Sequence, residues 1–207
     1  MQILTTLAQA QTLAFGTPAN GGFFGGLIVG APKPEAIIWA PKARGEIAEI
    51  SWHPDNVEVP GAMSFRDSMA NTLAMAEAGS PLAKWALGLE INGYADWCVP
   101  ARDVLELGYR NLKPTTWKTY EGWRDGENPS SLPPGLSYAS GPEIVQTSAQ
   151  AFQKGGEEAF EEAWYFASSQ YRARFAWYQY FDSGSQNDYV KCAELRARAV
   201  RTIQLDF

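Results

Sequence analysis

Apolar and polar positions alternate most clearly in the last quarter of the chain. Residues 164–169, 176–181 and 196–201 are three short runs rich in aromatic or β-branched side chains, set between turns, and Asp182-Ser183-Gly184 closes the middle one. Runs of this kind predict consecutive strands of a small antiparallel sheet. In the middle run, alternation places Phe175, Trp177, Gln179 and Phe181 on one face and Ala176, Tyr178 and Tyr180 on the other. Trp177 and Phe181 are expected in the core. So are Trp97 and Trp164, which lie on strand-like segments beside small residues.

Upstream, residues 23–29 and 36–40 read as strands joined by a proline-containing connection, and residues 47–52 as a third. Ser64 followed by Asp67 resembles a capping box for a helix over residues 65–78, with Phe65, Met69, Leu73 and Ala76 facing inward and Gly79 after its end. Ser80-Pro81 starts a short helix through Leu87, and Asn92-Gly93 marks a turn. Residues 97–100 are extended. Residues 101–112 form an amphipathic helix with Val104, Leu105, Tyr109 and Leu112 on one face. Residues 113–142 carry five prolines and predict a long loop whose Trp117, Tyr120 and Trp123 need somewhere to pack. Thr147 caps a short helix ending at Gly155-Gly156.

This order predicts an α+β protein with a small antiparallel sheet, two main helices and long loops. Residues 1–20 are either an N-terminal arm or an edge strand, and residues 21–207 a single domain. Residues 27–40 and 196–203 are expected in one antiparallel sheet, with the 101–112 helix packed against it.

Composition narrows the function. The chain has 207 residues, of which 45% are hydrophobic and 13% aromatic, as in a folded globular protein. A net charge of −6 excludes nucleic acid as the main partner. Residues 23–29 are the longest apolar run, interrupted by Gly25-Gly26, so membrane insertion is not expected. The first residues lack a basic segment and a cleavage site, and no signal peptide is expected. Cys98 and Cys192 are expected as two buried thiols made in a reducing cytoplasm, with a single disulfide as the rival.

Candidate chemistry is sparse. His53, the sole histidine, has no neighbouring ligand for a metal and is expected to be structural. Glu157, Glu158, Glu161 and Glu162 read as a solvated helical face rather than a glycosidase pair. Asp182, Asp188 and Glu194 lack the spacing of a calcium loop. The glycines of residues 21–26 suit tight turns and close packing better than phosphate binding. No catalytic residue, metal or cofactor is expected. The C-terminal tract instead concentrates Tyr and Arg, the types that dominate interface hot spots. Tyr171, Arg172, Arg174, Tyr178, Tyr180, Asn187 and Tyr189 are therefore the candidate binding residues, forming an aromatic and cationic surface.

Four motifs carry a family resemblance. Residues 96–107 (Asp-Trp-Cys-Val-Pro-Ala-Arg-Asp-Val-Leu-Glu-Leu) resemble the Trp-x-Leu-Pro-x-x-x-Glu-Leu motif of the Lcl-type C-type-lectin-like domain family. Residues 164–169 are similar to its Tyr-Trp-Ser-Ser-Thr strand, residues 176–184 to its Ala-Trp-x-x-x-Phe-x-x-Gly hairpin, and residues 198–201 to its closing Arg-x-Val-Arg. From about Gly21 onward, including residues 37–42, the chain resembles the branch found in tailed temperate phages. Phe166-Ala167 and Cys98 depart from the pattern, and the calcium triplets of carbohydrate-binding C-type lectins are absent. The resemblance implies a C-type-lectin-like fold and a phage virion protein, made in the host cytoplasm, that assembles as a homo-oligomer. Its implied role is receptor binding at the tail tip or fibre, with a host surface receptor or neighbouring virion subunits as partners. The alternatives are a structural virion component (capsid decoration or baseplate protein) and, third, an enzyme of the formylglycine-generating type.

Overall fold

The computed structural model describes residues 2–30, 32–122 and 126–207, so Trp123 lies outside the described residues. It is an α+β structure. Its helices are α1 (Leu7–Gln11), α2 (Lys42–Gly45), α3 (Ser68–Glu77), α4 (Pro81–Leu87) and α5 (Arg102–Leu112). The strands run from β1 (Pro18–Ala19), β2 (Gly22–Ile28), β3 (Glu35–Trp39) and β4 (Glu46–Ser51) to β5 (Trp164–Arg172) and β6 (Phe175–Tyr180). β7 (Gln186–Val190), β8 (Glu194–Arg198) and β9 (Val200–Gln204) complete them.

The strands form two sheets rather than the single small one expected, with orders β1-β2-β3-β9 and β4-β8-β5-β6-β7. One long antiparallel ribbon links them. β3 pairs with β9 up to Trp39↔Val200, and β4 pairs with β8 from Glu46↔Arg198 onward. At the crossing, residues 40–45 are opposed by Ala199 alone, and α2 takes up the excess. Ala40 N–H donates to the Ala199 carbonyl (3.0 Å) and Ala199 N–H to that of Gly45 (2.8 Å). Gly45 is required there, because a Cβ would stand 2.2 Å from that of Ala40. The expected pairing of the first strands with residues 196–203 therefore holds only from Val200 onward. Residues 194–198 belong to the other sheet.

Arg198 fills the crossing and is fully buried. Its Nε donates to the Ala40 carbonyl (2.8 Å), Nη1 to the Glu158 carbonyl (2.7 Å) and Nη2 to the Glu158 carboxylate. That carboxylate also accepts the Lys42 N–H (2.8 Å). Residues 153–163 form turns and no helix, so Glu158 points inward. The expectation of a solvated glutamate face fails at this residue.

The N-terminal segment holds α1, with a capping box between Thr6 and Gln9, and the short edge strand β1. Leu4, Ala10 and Ala19 are buried with Leu205. α5 lies over β2 and is almost wholly buried. α3 and α4 cover Phe166, Ala176 and Ala197 of the second sheet. α3 differs from expectation at its start and on its inner face. Ser64 Oγ accepts from Arg66 and Asp67 N–H, and the Asp67 side chain is the cap. Phe65 and Leu73 are exposed, whereas Ser68, Asn71, Thr72 and Met75 are buried. The polar residues point inward because the neighbouring extended segment offers donors. Ser68 Oγ accepts from Ala101 N–H (2.9 Å) and Thr72 Oγ1 from Val99 N–H (3.0 Å).

The long loop is pinned to α5 by buried polar groups. Asn128 Nδ2 donates to the Asp103 carbonyl (2.7 Å) and to Glu106 Oε2 (2.6 Å), and Tyr138 donates to Glu106 Oε1 (3.0 Å). Trp117 and Tyr120 nevertheless stay exposed.

Trp177 is 3% exposed and packs edge-on against Phe65 and Tyr171. Trp177→Ala is expected to cost about 3–5 kcal/mol in chemical denaturation, as for large aromatics removed from cores. A loss under about 1 kcal/mol would place this ring outside the core. Arg198→Met preserves bulk but leaves Glu158 and two carbonyls without their donor. A loss of about 3–5 kcal/mol is expected, the range for breaking one side of a buried pair. Near-unchanged urea unfolding would show that the crossing holds without the charge.

Candidate functional site

The second sheet carries the candidate surface on the hairpins β5–β6–β7. Cross-strand partners share a face. Here Trp164 opposes Tyr180, Tyr178 opposes both Phe166 and Asn187, and Tyr189 opposes Ala176. The rings follow this register. Trp164 stacks on Tyr178 (5.0 Å between centroids, 20°) and meets Tyr189 (5.3 Å) and Tyr180 (6.1 Å) edge-on. Tyr178 and Tyr189 also meet edge-on at 6.4 Å. Phe166 and Ala176 on this face lie under α3 and α4, and Tyr178 packs against their edge. Beyond the helices the aromatic cluster emerges, with Trp164 37% and Tyr189 38% exposed.

Trp164 is a correction, since it was expected in the core. Its facing is set by the irregularity in β5 between Gln170 and Arg172, where two steps oppose one in β6; the other, between Phe166 and Gln170, slips the register by an even number and leaves the facing unchanged. Trp97 and Trp177 are buried as expected.

The seven candidate residues do not form one patch. Tyr178, Tyr180, Asn187 and Tyr189 share the face just described. Tyr171 packs against Trp177 and so belongs to the opposite face. The Arg172 guanidinium lies over the rings of Phe175 (4.4 Å) and Tyr171 (5.4 Å) at the β5–β6 turn. Arg174 is exposed at that same turn, and its carbonyl accepts Lys191 N–H. The cationic and aromatic parts are thus separated.

Beside the aromatic cluster, β5 and β8 pair only at Tyr165↔Arg196, and a groove of about 440 Å³ opens between them. Trp164 and Tyr180 wall it, Ala48, Ala163 and Leu195 supply apolar surface, and Glu49, Glu162 and Glu194 line it with Arg196. Arg196 donates to Glu46 Oε1 (3.2 Å), which also accepts from Tyr165 Oη (3.0 Å). Burial raises the Glu46 carboxyl above its ordinary value, and Arg198 opposes that shift. Partial burial raises the Tyr180 hydroxyl, and the Asp182 and Glu162 carboxylates raise it further.

A second cavity, about 610 Å³, lies between α1, β2, α5 and the loop around Pro133. Leu13, Phe15, Phe24, Leu27, Leu107 and Leu132 make it largely apolar.

The remaining reactive groups are occupied in structure. His53 is buried, with Nε2 donating to the Ala78 carbonyl (2.8 Å) and Nδ1 lying against the carbonyl (2.7 Å) and N–H (3.0 Å) of Asp55. Lys191 is buried over the Trp52 ring and donates to the Val57 carbonyl (2.7 Å), and burial lowers its pKa to about 8. Among the described residues no three His, Cys, Asp or Glu side chains converge to hold a metal, and no helix is long and apolar enough to cross a membrane. No family model matches the chain, and no curated protein matches it in sequence.

Both cysteines are free, but only Cys98 is buried, against the expectation of two buried thiols. Cys98 Sγ donates to the Val200 carbonyl (3.4 Å), and burial pushes its pKa far up. Alkylation of the native protein is therefore expected to add one label, on Cys192, with Cys98 reacting only after unfolding. Mass spectrometry reads this directly, and native labelling of Cys98 would show that the crossing opens.

Proposed function

We propose that the chain is a phage virion protein with a C-type-lectin-like fold, and that it makes contact through the aromatic face of its second sheet. The observation that carries this is the cluster of exposed Trp164 and Tyr189 with half-buried Tyr178 and Tyr180, held by mutual ring packing on a strand framework. Large rigid aromatics contribute contact area at low entropic cost and dominate interface hot spots.

The family resemblance supports the setting. Its four motifs meet in space: residues 97–100 lead into α5 and bridge to Val200, residues 164–169 and 176–184 build the β5–β6 hairpin, and residues 198–201 form the crossing. Host attachment at the tail tip or fibre is the leading role. A structural place in the virion is the second, favoured by the apolar cavity beside the exposed Phe15 and Leu136, which suits a neighbouring subunit. Thiol chemistry of the formylglycine-generating type finds no support in a sealed Cys98 and a separate surface Cys192.

Virions carrying Tyr178→Ser with Tyr180→Ser test the proposal. The fold should survive, because neither ring is fully buried. Adsorption or assembly should weaken by roughly 2 kcal/mol or more, as for hot-spot aromatics. Normal adsorption with normal particle yield would reduce these tyrosines to ordinary surface. A copy-number count per virion separates the two roles.

A further inference from the structure

The groove beside the aromatic cluster has a charge pattern that selects among partners. Glu49, Glu162 and Glu194 line it with Arg196, and the nearby cations are already paired. Arg196 is bonded to Glu46, and Lys154 to Glu162. Glu49 and Glu194 are exposed and enter no ion pair among the described residues. The register explains their placement. Glu194 begins β8 opposite Ser51, and the irregularity in β4 between Ile47 and Ile50 leaves Ala48 and Glu49 outside the ladder. Trp164 and Tyr180 present aromatic surface to the same space.

We propose that this groove docks a basic side chain, arginine before lysine, carried by a polypeptide segment of the partner. Aromatic faces attract cations through their quadrupole. Carboxylates beside them accept charge-assisted hydrogen bonds from the same group. A planar guanidinium uses both at once, stacking on a ring while its edge donates to a carboxylate. A phosphorylated or otherwise anionic surface meets uncompensated carboxylates and is disfavoured. A neutral glycan could stack on the rings but leaves the charge of the rim unanswered. The occupant is thus chosen by complementarity of charge.

The inference rests on the proposal that the aromatic face is the contact face, and it adds the chemistry of the partner. The probe is a fluorescein-labelled Gly-Ser peptide bearing two arginines, with a citrulline counterpart of the same shape and no charge, titrated against the full chain by anisotropy. The arginine peptide should bind saturably and the citrulline peptide on the order of tenfold more weakly, with affinity falling as salt rises. Glu49→Gln with Glu194→Gln should reproduce that loss, as should Trp164→Ala. Glu77→Gln with Glu90→Gln, equal in charge change but away from the groove, should bind as the unmodified chain does. Equal binding of the two peptides, no saturable binding, or an unaffected Glu49→Gln/Glu194→Gln protein would overturn the inference. So would preferential competition by a neutral oligosaccharide or by inorganic phosphate. Virions distinguish the two levels. Normal adsorption of the Tyr178→Ser/Tyr180→Ser virion removes the contact face itself. Lost adsorption there, with normal adsorption of the Glu49→Gln/Glu194→Gln virion, removes only the cationic partner.

Discussion

A single buried guanidinium fills the crossing between the two sheets. Where the ribbon crosses from the first sheet to the second, residues 40–45 bulge against Ala199 and the strand ladder is interrupted. Buried carbonyls left by such an interruption need donors from elsewhere. Arg198 supplies one to Ala40 and, from its other nitrogens, binds the carbonyl and carboxylate of Glu158 in the adjoining turn. Lysine could not do this, because its point charge lacks the fixed fork of donors. Taking the charge out of water is costly and lowers the affinity of Arg198 for its proton, which Glu46 and Glu158 oppose. Phe152 and Phe160 lie against the guanidinium at 5.3 and 4.8 Å and complete its shell. The crossing is therefore specific as well as stable: few other side chains satisfy the same set of groups.

That constraint also shapes the surface. Glu46 and Tyr165 sit beside Arg198 in the same network, and Glu46 draws Arg196 inward. β5 meets β8 only at Tyr165↔Arg196, next to this network, so the strands part on the far side and leave the groove. A second ion pair of this network, Arg196 to Glu46, keeps Arg196, which lines the groove, engaged with the interior. Its acidity is a consequence of how the sheets are joined.

The elements were legible where a period was long enough to count. Strands at residues 23–29 and 36–40, the Ser80-Pro81 helix start and the 101–112 helix are found within a few residues of their expected places. What was hidden has local causes. Residues 196–201 look like one strand because Ala199 continues the alternation, yet the pairing partner changes at that residue. The facing of Trp164 depends on extra residues in β5. Six steps separate Phe166 from Arg172, whereas three separate their partners Tyr178 and Phe175. The difference is odd, and an odd slip transfers a side chain to the other face. Counted from the turn, Trp164 belongs with Trp177; with the irregularities it joins Tyr178. Bulges leave no composition signal here, so the aromatic cluster had three visible members, Tyr178, Tyr180 and Tyr189, and a concealed centre, Trp164. The buried polar face of α3 was hidden for a related reason, since its partners at Val99 and Ala101 are distant in sequence.

Separation of the arginines from the aromatics changes what the surface can do. Had Arg172 and Arg174 flanked Tyr178 and Tyr180, their cations would have occupied the ring faces or attracted an anionic partner. Instead Arg172 is taken up by Phe175 and Tyr171 at the hairpin turn. The rings left on the opposite face are packed on one another, with Trp164 contacting three tyrosines. A cluster ordered in advance loses little side-chain freedom when a partner arrives, so more of its contact energy is expressed as affinity. Tyr178 is additionally braced from beneath by the cluster that α3 and α4 cover. Rigidity of the aromatic face is thus inherited from the core, while its charge is inherited from the crossing at Arg198. Two features that look like surface properties are set by what is buried behind them.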